Sequence, residues 1–488
     1  MTVYNGERLF FVRGAGMQSS RRWLAGLLGF AMLLQVSAVW ASDLREQPEV
    51  LQNFVTEPML AHAAVGFQAV DLESGAVVAE YNEEMILVPA STMKIVTSAA
   101  ALSAFGSEYR FKTQVLYDGA IDESGTLQGN LYVRGLGDPT LGSDGIARPR
   151  RAFLDEWCEG IQGAGIQSIA GNIVVLDDGL GYRGISPKWL VEDLGTDYGA
   201  GVYGIGVYDN VCRVYVRSGA VGTVPEVVRV EPAVPGLKIK NELRVVERPL
   251  VDPMGFGYPL DWNRRIYGEV AANRGEIEIS MDIPDPGLFL AEHLRSELRS
   301  RGIPVSGAAT TARLTHQRPK QEILLAETRS VPLTEIVRVL LYRSDNHYTE
   351  HLYEWMKAEK KPSAPEFFKG KGLNTKALVM RDGSGLSPQN GMSARFLTEV
   401  LGEMAKTPGY RELLPVVGRD GTVAYFLRGT PLDGKAWVKT GSMSGVQAYA
   451  GYAEKDGRKY AFTLIVNNWD GKRSDLRKKI ETLLVGLF

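Results

Sequence analysis

Hydrophobic spacing divides this chain into stretches of different character. Residues 65–72 and 76–81 alternate apolar and polar positions around Glu73-Ser74-Gly75, which predicts two strands joined by a turn. Pro89 ends the next extended segment, Ser91 can cap, and the Ala-rich run 95–102 predicts a helix built for close packing. From 111 to 283 short β-rich runs dominate, at 113–117, 131–135, 173–176, 212–218 and 277–281, punctuated by Gly and Pro turns. Two helices interrupt them. One is expected from Pro149, a residue suited to a first helical position, to 164; the other spans 286–301 and ends at Gly302-Ile303-Pro304. Residues 317–321 are polar and linker-like. Helical patterning resumes at 332–342 and 347–357, strands at 445–454 and 459–467. The last helix, from 474 to about 487, puts Leu476, Ile480, Leu483, Leu484 and Leu487 on one face.

Strand–strand–helix at both ends reads as two halves of one domain with the middle inserted. No internal repeat of fixed period is present. At the N-terminus Arg21-Arg22 precedes an apolar run over 23–40, and Val39-Trp40-Ala41 offers small residues for cleavage, the order of a secretory signal. An uncleaved single-pass anchor is the alternative, since the run is near the minimum spanning length. The expected organisation is a signal peptide at 1–41, the first part of the split domain at 42–111, inserted β-rich structure at 112–322, and the second part of the split domain at 323–488.

Composition narrows the function classes. The chain has 488 residues, 44% of them hydrophobic, which suits several domains and excludes a disordered or collagenous protein. With 55 Lys+Arg against 57 Asp+Glu, no cation excess exists to neutralise nucleic-acid phosphates. Two cysteines, Cys158 and Cys212, cannot frame a zinc finger; an oxidising compartment permits them to bond, and two free thiols suit the sequence equally. Gly199-Ala200-Gly201-Val202-Tyr203-Gly204 spells a dinucleotide fingerprint but is followed by a β-like run, so it reads as a loop. His347 and His351 stand at i, i+4 without the H-E-x-x-H pattern and read as surface or core histidines. The cations Lys472, Arg473, Arg477, Lys478 and Lys479 read as the solvated face of the last helix, with peripheral contact to anionic wall polymer or lipid as the alternative.

Three short motifs carry chemistry in order: Ser91-Thr92-Met93-Lys94, Ser344-Asp345-Asn346 and Lys439-Thr440-Gly441. Each alone is weak. Together they match the S-x-x-K, S-D-N, K-T-G set of serine β-lactamases and penicillin-binding proteins. A serine hydroxyl needs a base, and Lys94 at i+3 shares a helix face with Ser91. Lys94 must then lose its proton near neutrality, through burial and a like charge that Lys439 could supply. The N–H groups of Ser91 and Ser442 are the expected oxyanion hole. Ser344 would relay a proton to the leaving amine with Lys439. Asn346 would hold the substrate amide and Lys94. Lys439 would also supply charge for a terminal carboxylate, Thr440 a hydroxyl, and Gly441 room for a peptide along the strand edge.

On these motifs, with Gly129–Leu141 around Gly137-Asp138-Pro139-Thr140-Leu141 and with Asp382-Gly383-Ser384-Gly385-Leu386-Ser387, the chain resembles the penicillin-binding D-alanyl-D-alanine carboxypeptidase/endopeptidases with a large insertion, the low-molecular-mass class C type. Ser91 and Ser344 stand 253 residues apart, a gap that suits the inserted-domain members. The resemblance implies an α+β fold: a serine β-lactamase/DD-peptidase-like catalytic domain, an antiparallel sheet flanked by helices, interrupted by one or two small β-rich domains. It implies a peptidoglycan stem peptide as substrate, a Ser91 acyl-enzyme, β-lactams as acylating inhibitors, no metal or organic cofactor, and a periplasmic location. Met443 would line the side-chain pocket, and Asp177, or Asp178 beside it, would bind the amino end of a diamino acid. Pro388 stands where relatives often carry an arginine for a free carboxylate. A β-lactamase, or a non-catalytic peptidoglycan-binding or β-lactam-sensing protein, are the rival functions.

Overall fold

The computed structural model describes residues 44–180 and 184–488. The expected signal peptide lies outside the described residues.

The two ends of the chain build one sheet. Five antiparallel strands lie in the order Ala436–Met443, Val446–Lys455, Arg458–Asn467, Ala64–Asp71 and Val77–Tyr81. The join runs from Ala64 opposite Asn467 to Asp71 opposite Tyr460. Both faces of the three central strands are apolar, which requires cover on each side. The helices Glu49–Val55 and Arg473–Leu487 cover one face through Leu51, Phe54, Leu476, Ile480, Leu483 and Leu484. The helix Met93–Phe105 lies on the other, with Leu333–Arg343, Asn346–Ala358 and Ala394–Met404 packed around it. Its small residues Ala99, Ala100 and Ala101 are buried, so neighbouring helices approach it closely.

The middle of the chain is β-rich. A mixed five-stranded sheet runs Ala309–Thr311, Ile173–Leu176, Leu131–Leu136, Lys112–Tyr117, Ile323–Arg329. Its last strand pairs antiparallel with Lys112–Tyr117, so this sheet reaches beyond residue 322. Two three-stranded sheets follow, Glu226–Glu231, Val211–Arg217, Glu276–Asp282 and Lys238–Val246, Asn263–Ala271, Met254–Phe256. The helices Ala152–Gly163 and Pro286–Ser300 share their core through Phe153, Trp157, Phe289 and Leu290. Pro149 does not open the first of these; its carbonyl accepts from Ala152 N–H, a turn that precedes the helix. Cys158 and Cys212 are free and buried. The 199–204 glycine segment is a loop that leads to a single 3₁₀ turn, Tyr208–Asn210, and then to a strand rather than to an α-helix. Among the described residues no helix is long and apolar enough to cross a membrane.

The middle region also buries an ion pair. Arg264 is fully buried, donates to both Asp282 oxygens at 2.8 and 3.0 Å, and gives Nη1 to the Tyr258 carbonyl at 2.8 Å. Removing one partner would strand the other charge. Asp282→Ala is therefore expected to cost about 3–5 kcal/mol, read as a lowered urea midpoint for the middle region.

Candidate active site

Three backbone devices bring the motifs together. First, Ala90–Thr92 is a single 3₁₀ turn ahead of the Met93–Phe105 helix, with Ala90 held left-handed at φ 46°. Ser91 caps nothing; its hydroxyl is left for Lys94. Second, Ser344 ends the Leu333–Arg343 helix in the left-handed conformation, φ 58°, and Asp345 caps the Asn346–Ala358 helix by accepting from Tyr348 N–H at 2.9 Å. The motif is a corner between two helices, which fixes Ser344 and Asn346 on one wall. Third, Lys439-Thr440-Gly441 lies inside the edge strand Ala436–Met443.

That edge strand presses on the nucleophile turn. A Cβ on Gly441 would stand 2.5 Å from the Pro89 carbonyl oxygen and 3.2 Å from Ser91 N. Gly441 is thus required by the close approach of strand to turn.

The polar centre is compact. Lys94 is fully buried, and its Nζ lies 2.9 Å from Ser91 Oγ, 2.6 Å from Asn346 Oδ1 and 2.7 Å from the Ser384 carbonyl. Asn346 is oriented by giving its Nδ2 to the Tyr198 carbonyl at 2.8 Å. Lys439, also fully buried, donates to Ser344 Oγ at 2.9 Å and to the Thr440 carbonyl at 2.6 Å. Thr440 Oγ1 meets Thr422 Oγ1 at 2.9 Å. Ser442 and Met443 follow at the strand end, Ser442 exposed and Met443 half-buried. Beside Ser344 and Asn346 a cavity of about 290 Å³ is walled by Asp197, Tyr198 and Arg213.

The ligands of Lys94 dictate its working form. Two are carbonyl oxygens, which only accept; the third is a hydroxyl, which can donate. A neutral amine has two N–H groups and one lone pair. The carbonyls take the N–H groups, and the lone pair faces the Ser91 O–H. Burial lowers the Lys94 pKa to about 8, against the pull of Glu350, Asp382 and Asp345, which favour the ammonium. Lys439 falls well below the usual lysine range, first through burial and then through the charge of Lys94. The like-charge effect expected on Lys94 is therefore felt at Lys439, and burial does the main work at Lys94.

Asp177 does not join this cluster. It is buried, with its carboxylate accepting from Arg313 N–H at 3.2 Å and Arg313 Nε at 3.4 Å, while Arg313 also pairs with Asp285. Burial raises its pKa. Asp178 pairs with Arg318. Both carboxylates thus carry an arginine partner. His347 and His351 are core residues with rings 4.4 Å apart, and burial drives both far below the usual imidazole range. Among the described residues no group of three or more His, Cys, Asp or Glu side chains is placed to hold a metal ion. Sequence reading missed the Ser384 and Tyr198 carbonyls, because backbone acceptors carry no residue signature. Thr422 lacked any motif.

Comparison with known proteins agrees with this geometry. The profile of the D-Ala-D-Ala carboxypeptidase 3 (S13) family matches residues 47–486. A D-alanyl-D-alanine carboxypeptidase of Actinomadura sp. is 28% identical over 464 residues, covering 90% of this chain and 84% of that protein. The D-alanyl-D-alanine carboxypeptidase DacB of Haemophilus influenzae is 27% identical over 444 residues, covering 87% of this chain and 89% of that protein. The crystal structure of penicillin binding protein 4 from Haemophilus influenzae shares the fold, with a TM-score of 0.76 at 24% identity over 91% of this chain and 98% of that chain. The same protein complexed with a β-lactam gives a TM-score of 0.70.

Gly441→Ala would drive the edge strand off the nucleophile turn. A shift of about 1 Å at a reacting centre costs on the order of 100-fold. Labelling of Ser91 by an acylating reagent is expected to slow by that factor, with the thermal midpoint little changed.

Proposed function

The chain belongs to the D-Ala-D-Ala carboxypeptidase 3 (S13) family, and we propose that it is a serine-type, penicillin-binding D-alanyl-D-alanine carboxypeptidase/endopeptidase acting on peptidoglycan stem peptides. The 2.9 Å contact between the buried Lys94 amine and Ser91 Oγ carries this reading.

Ser91 is the nucleophile. Its O–H proton passes to the Lys94 lone pair as Oγ bonds to the D-Ala carbonyl carbon. The negative oxygen that forms is held by the N–H groups of Ser91 and Ser442. The C–N bond then breaks, and the leaving amine takes its proton from Ser344, which is resupplied by Lys439. The proton that Ser344 gives is the one Lys94 took from Ser91, passed on through Lys439, so both amines end the step as they began. With Lys439 turned toward Ser344, its part is proton delivery rather than charge for a carboxylate. Water then hydrolyses the acyl-enzyme, restoring the Ser91 O–H and releasing the shortened peptide. Asn346 fixes Lys94 and meets the substrate amide. Thr440 and Met443 face the terminal D-residue from the edge strand. β-Lactams acylate the same serine.

The leader over 1–41 delivers the mature chain to the periplasm, and residues 112–329 form the inserted unit. The β-lactamase alternative needs a base for deacylating water; among the described residues the side-chain hydrogen bond of Ser91 is to Lys94, with no carboxylate in contact.

Purified protein is expected to release D-Ala from a pentapeptide ending in D-Ala-D-Ala, and Ser91→Ala is expected to lose at least about 1,000-fold of that activity. Equal inertness of both proteins, or rapid turnover of a penicillin, would overturn the reading. The free-amine fraction of Lys94 grows with pH, so kcat/KM should climb about tenfold per pH unit and level off above about pH 8. A pH–rate profile checks this.

A further inference from the structure

Lys94 depends on a carbonyl, Ser384, that belongs to a loop rather than to any of the three motifs. What holds that loop is a buried acid. Glu350 lies on the Asn346–Ala358 helix one turn beyond Asn346, so the two side chains share a face. Its carboxylate accepts from Gly383 N–H at 3.0 and 3.2 Å and from Ser384 N–H at 2.7 Å. We propose that Glu350 is a positioning residue for Lys94, holding the Gly383–Ser384 peptide so that the Ser384 carbonyl takes one Lys94 N–H, and presenting its carboxyl charge to the same amine. One helix face thus fixes both carbonyl ligands, Asn346 directly and Ser384 through the peptide. This rests on the reading of Lys94 as the base for Ser91.

The surroundings support the role. The loop is anchored twice more. Asp382 accepts from Gly385 N–H at 2.8 Å, Ser387 N–H at 2.6 Å and Asn390 Nδ2 at 2.7 Å, and Thr97 Oγ1 donates to the Gly383 carbonyl at 2.6 Å. A loop with those anchors does not need a second buried acid for shape alone. Glu350 is buried, makes no ion pair among the described residues, and lines one pocket with Asp382. An unpaired buried carboxyl is costly, and such costs gather at working sites. Burial, then Asp382, raises its pKa to about 8, where Lys94 also titrates.

Among the described residues the charged groups are few. Lys94 faces Glu350 from the helix, Asp382 from the loop, Asp345 from the corner and Lys439 from the strand. Glu350 faces Asp382, and a cavity at its outer side brings Glu354, Lys357 and Arg381. Ionised Glu350 favours the Lys94 ammonium; protonated Glu350 favours the free amine.

The test reads Lys94 itself, in protein labelled with ¹³C at lysine Cε, by NMR titration of the full mature chain. Lys94→Arg assigns the resonance. In Glu350→Gln the Lys94 midpoint should move to lower pH by about one unit. Penicillin acylation should show the same displacement of its pH midpoint, with a plateau about tenfold lower. Thr97→Val, which loosens the same loop without removing charge, should lower the plateau and leave the midpoint in place. A Glu350→Gln midpoint that coincides with the wild type overturns the inference, as does an equal displacement in Thr97→Val. Should Glu350→Gln not fold, wild-type protein labelled with ¹³C at glutamate Cδ decides: one buried carboxyl must titrate in step with Lys94, and the lack of such a carboxyl overturns the proposal. Failure of penicillin to label the wild type would count against the functional reading alone, since the NMR midpoints do not depend on acylation.

Discussion

Everything at this site depends on keeping two lysine amines out of water. An ammonium in bulk solvent is no base at neutral pH, and its hydration is what makes it so stable. Here both amines are sealed beneath the nucleophile turn, the helix corner and the edge strand. Each is given acceptors enough for its N–H groups and, among the described residues, no carboxylate partner within hydrogen-bonding range. Acids stand nearby but act through space, so they temper the loss of the proton without preventing it. A direct Lys–Asp pair would have made Lys94 a permanent cation and Ser91 inert.

That requirement explains features of the fold that local propensity does not. Ala90 and Ser344 both sit in left-handed backbone, a conformation that costs a non-glycine residue on the order of 1 kcal/mol. Each aims a serine hydroxyl at a lysine that a regular helix would have turned away. Gly441 and Gly385 then let backbone close over the amines: a Cβ on Gly385 would stand 2.0 Å from the Ala90 carbonyl. The seal is made of main chain, which cannot swing aside as a side chain can.

The sequence was informative where chemistry is carried by residue type in a fixed order. Ser91, Lys94, Ser344, Asn346 and Lys439 announce themselves because few side chains can serve as nucleophile, amine base or proton relay. The paired terminal strands and the last helix were readable for a different reason: long apolar runs of one period leave few alternatives. Short helices such as Ala364–Gly370 escaped, since the capping box of Ser363 and Glu366 is brief and easily matched by a turn. The Ser384 carbonyl, the Tyr198 carbonyl and Glu350 were illegible because their roles come from three-dimensional placement. The pairing of Asp177 with Arg313, 136 residues away, was illegible for the same reason.

The inserted region is not a passive appendage, and the reason is geometric. Between residues 186 and 198 it reaches the catalytic centre at several points. Ser186 Oγ donates to the Arg381 carbonyl at 3.3 Å, Trp189 Nε1 donates to Asp382 at 3.0 Å, and the Lys188 carbonyl accepts from Ser387 Oγ at 2.8 Å. The Tyr198 carbonyl accepts from Asn346. The first three contacts hold the loop that carries the Ser384 carbonyl, and the fourth orients the Asn346 amide. Those two groups are the two carbonyl ligands of Lys94. A segment of the middle region therefore braces both acceptors that direct the lone pair toward Ser91, so the alignment of the base depends on packing between regions that are distant in sequence. Insertion and catalytic sheet must dock before Lys94 is aimed, which makes the docked unit, rather than the paired terminal strands alone, the smallest piece of this chain with the active-site geometry.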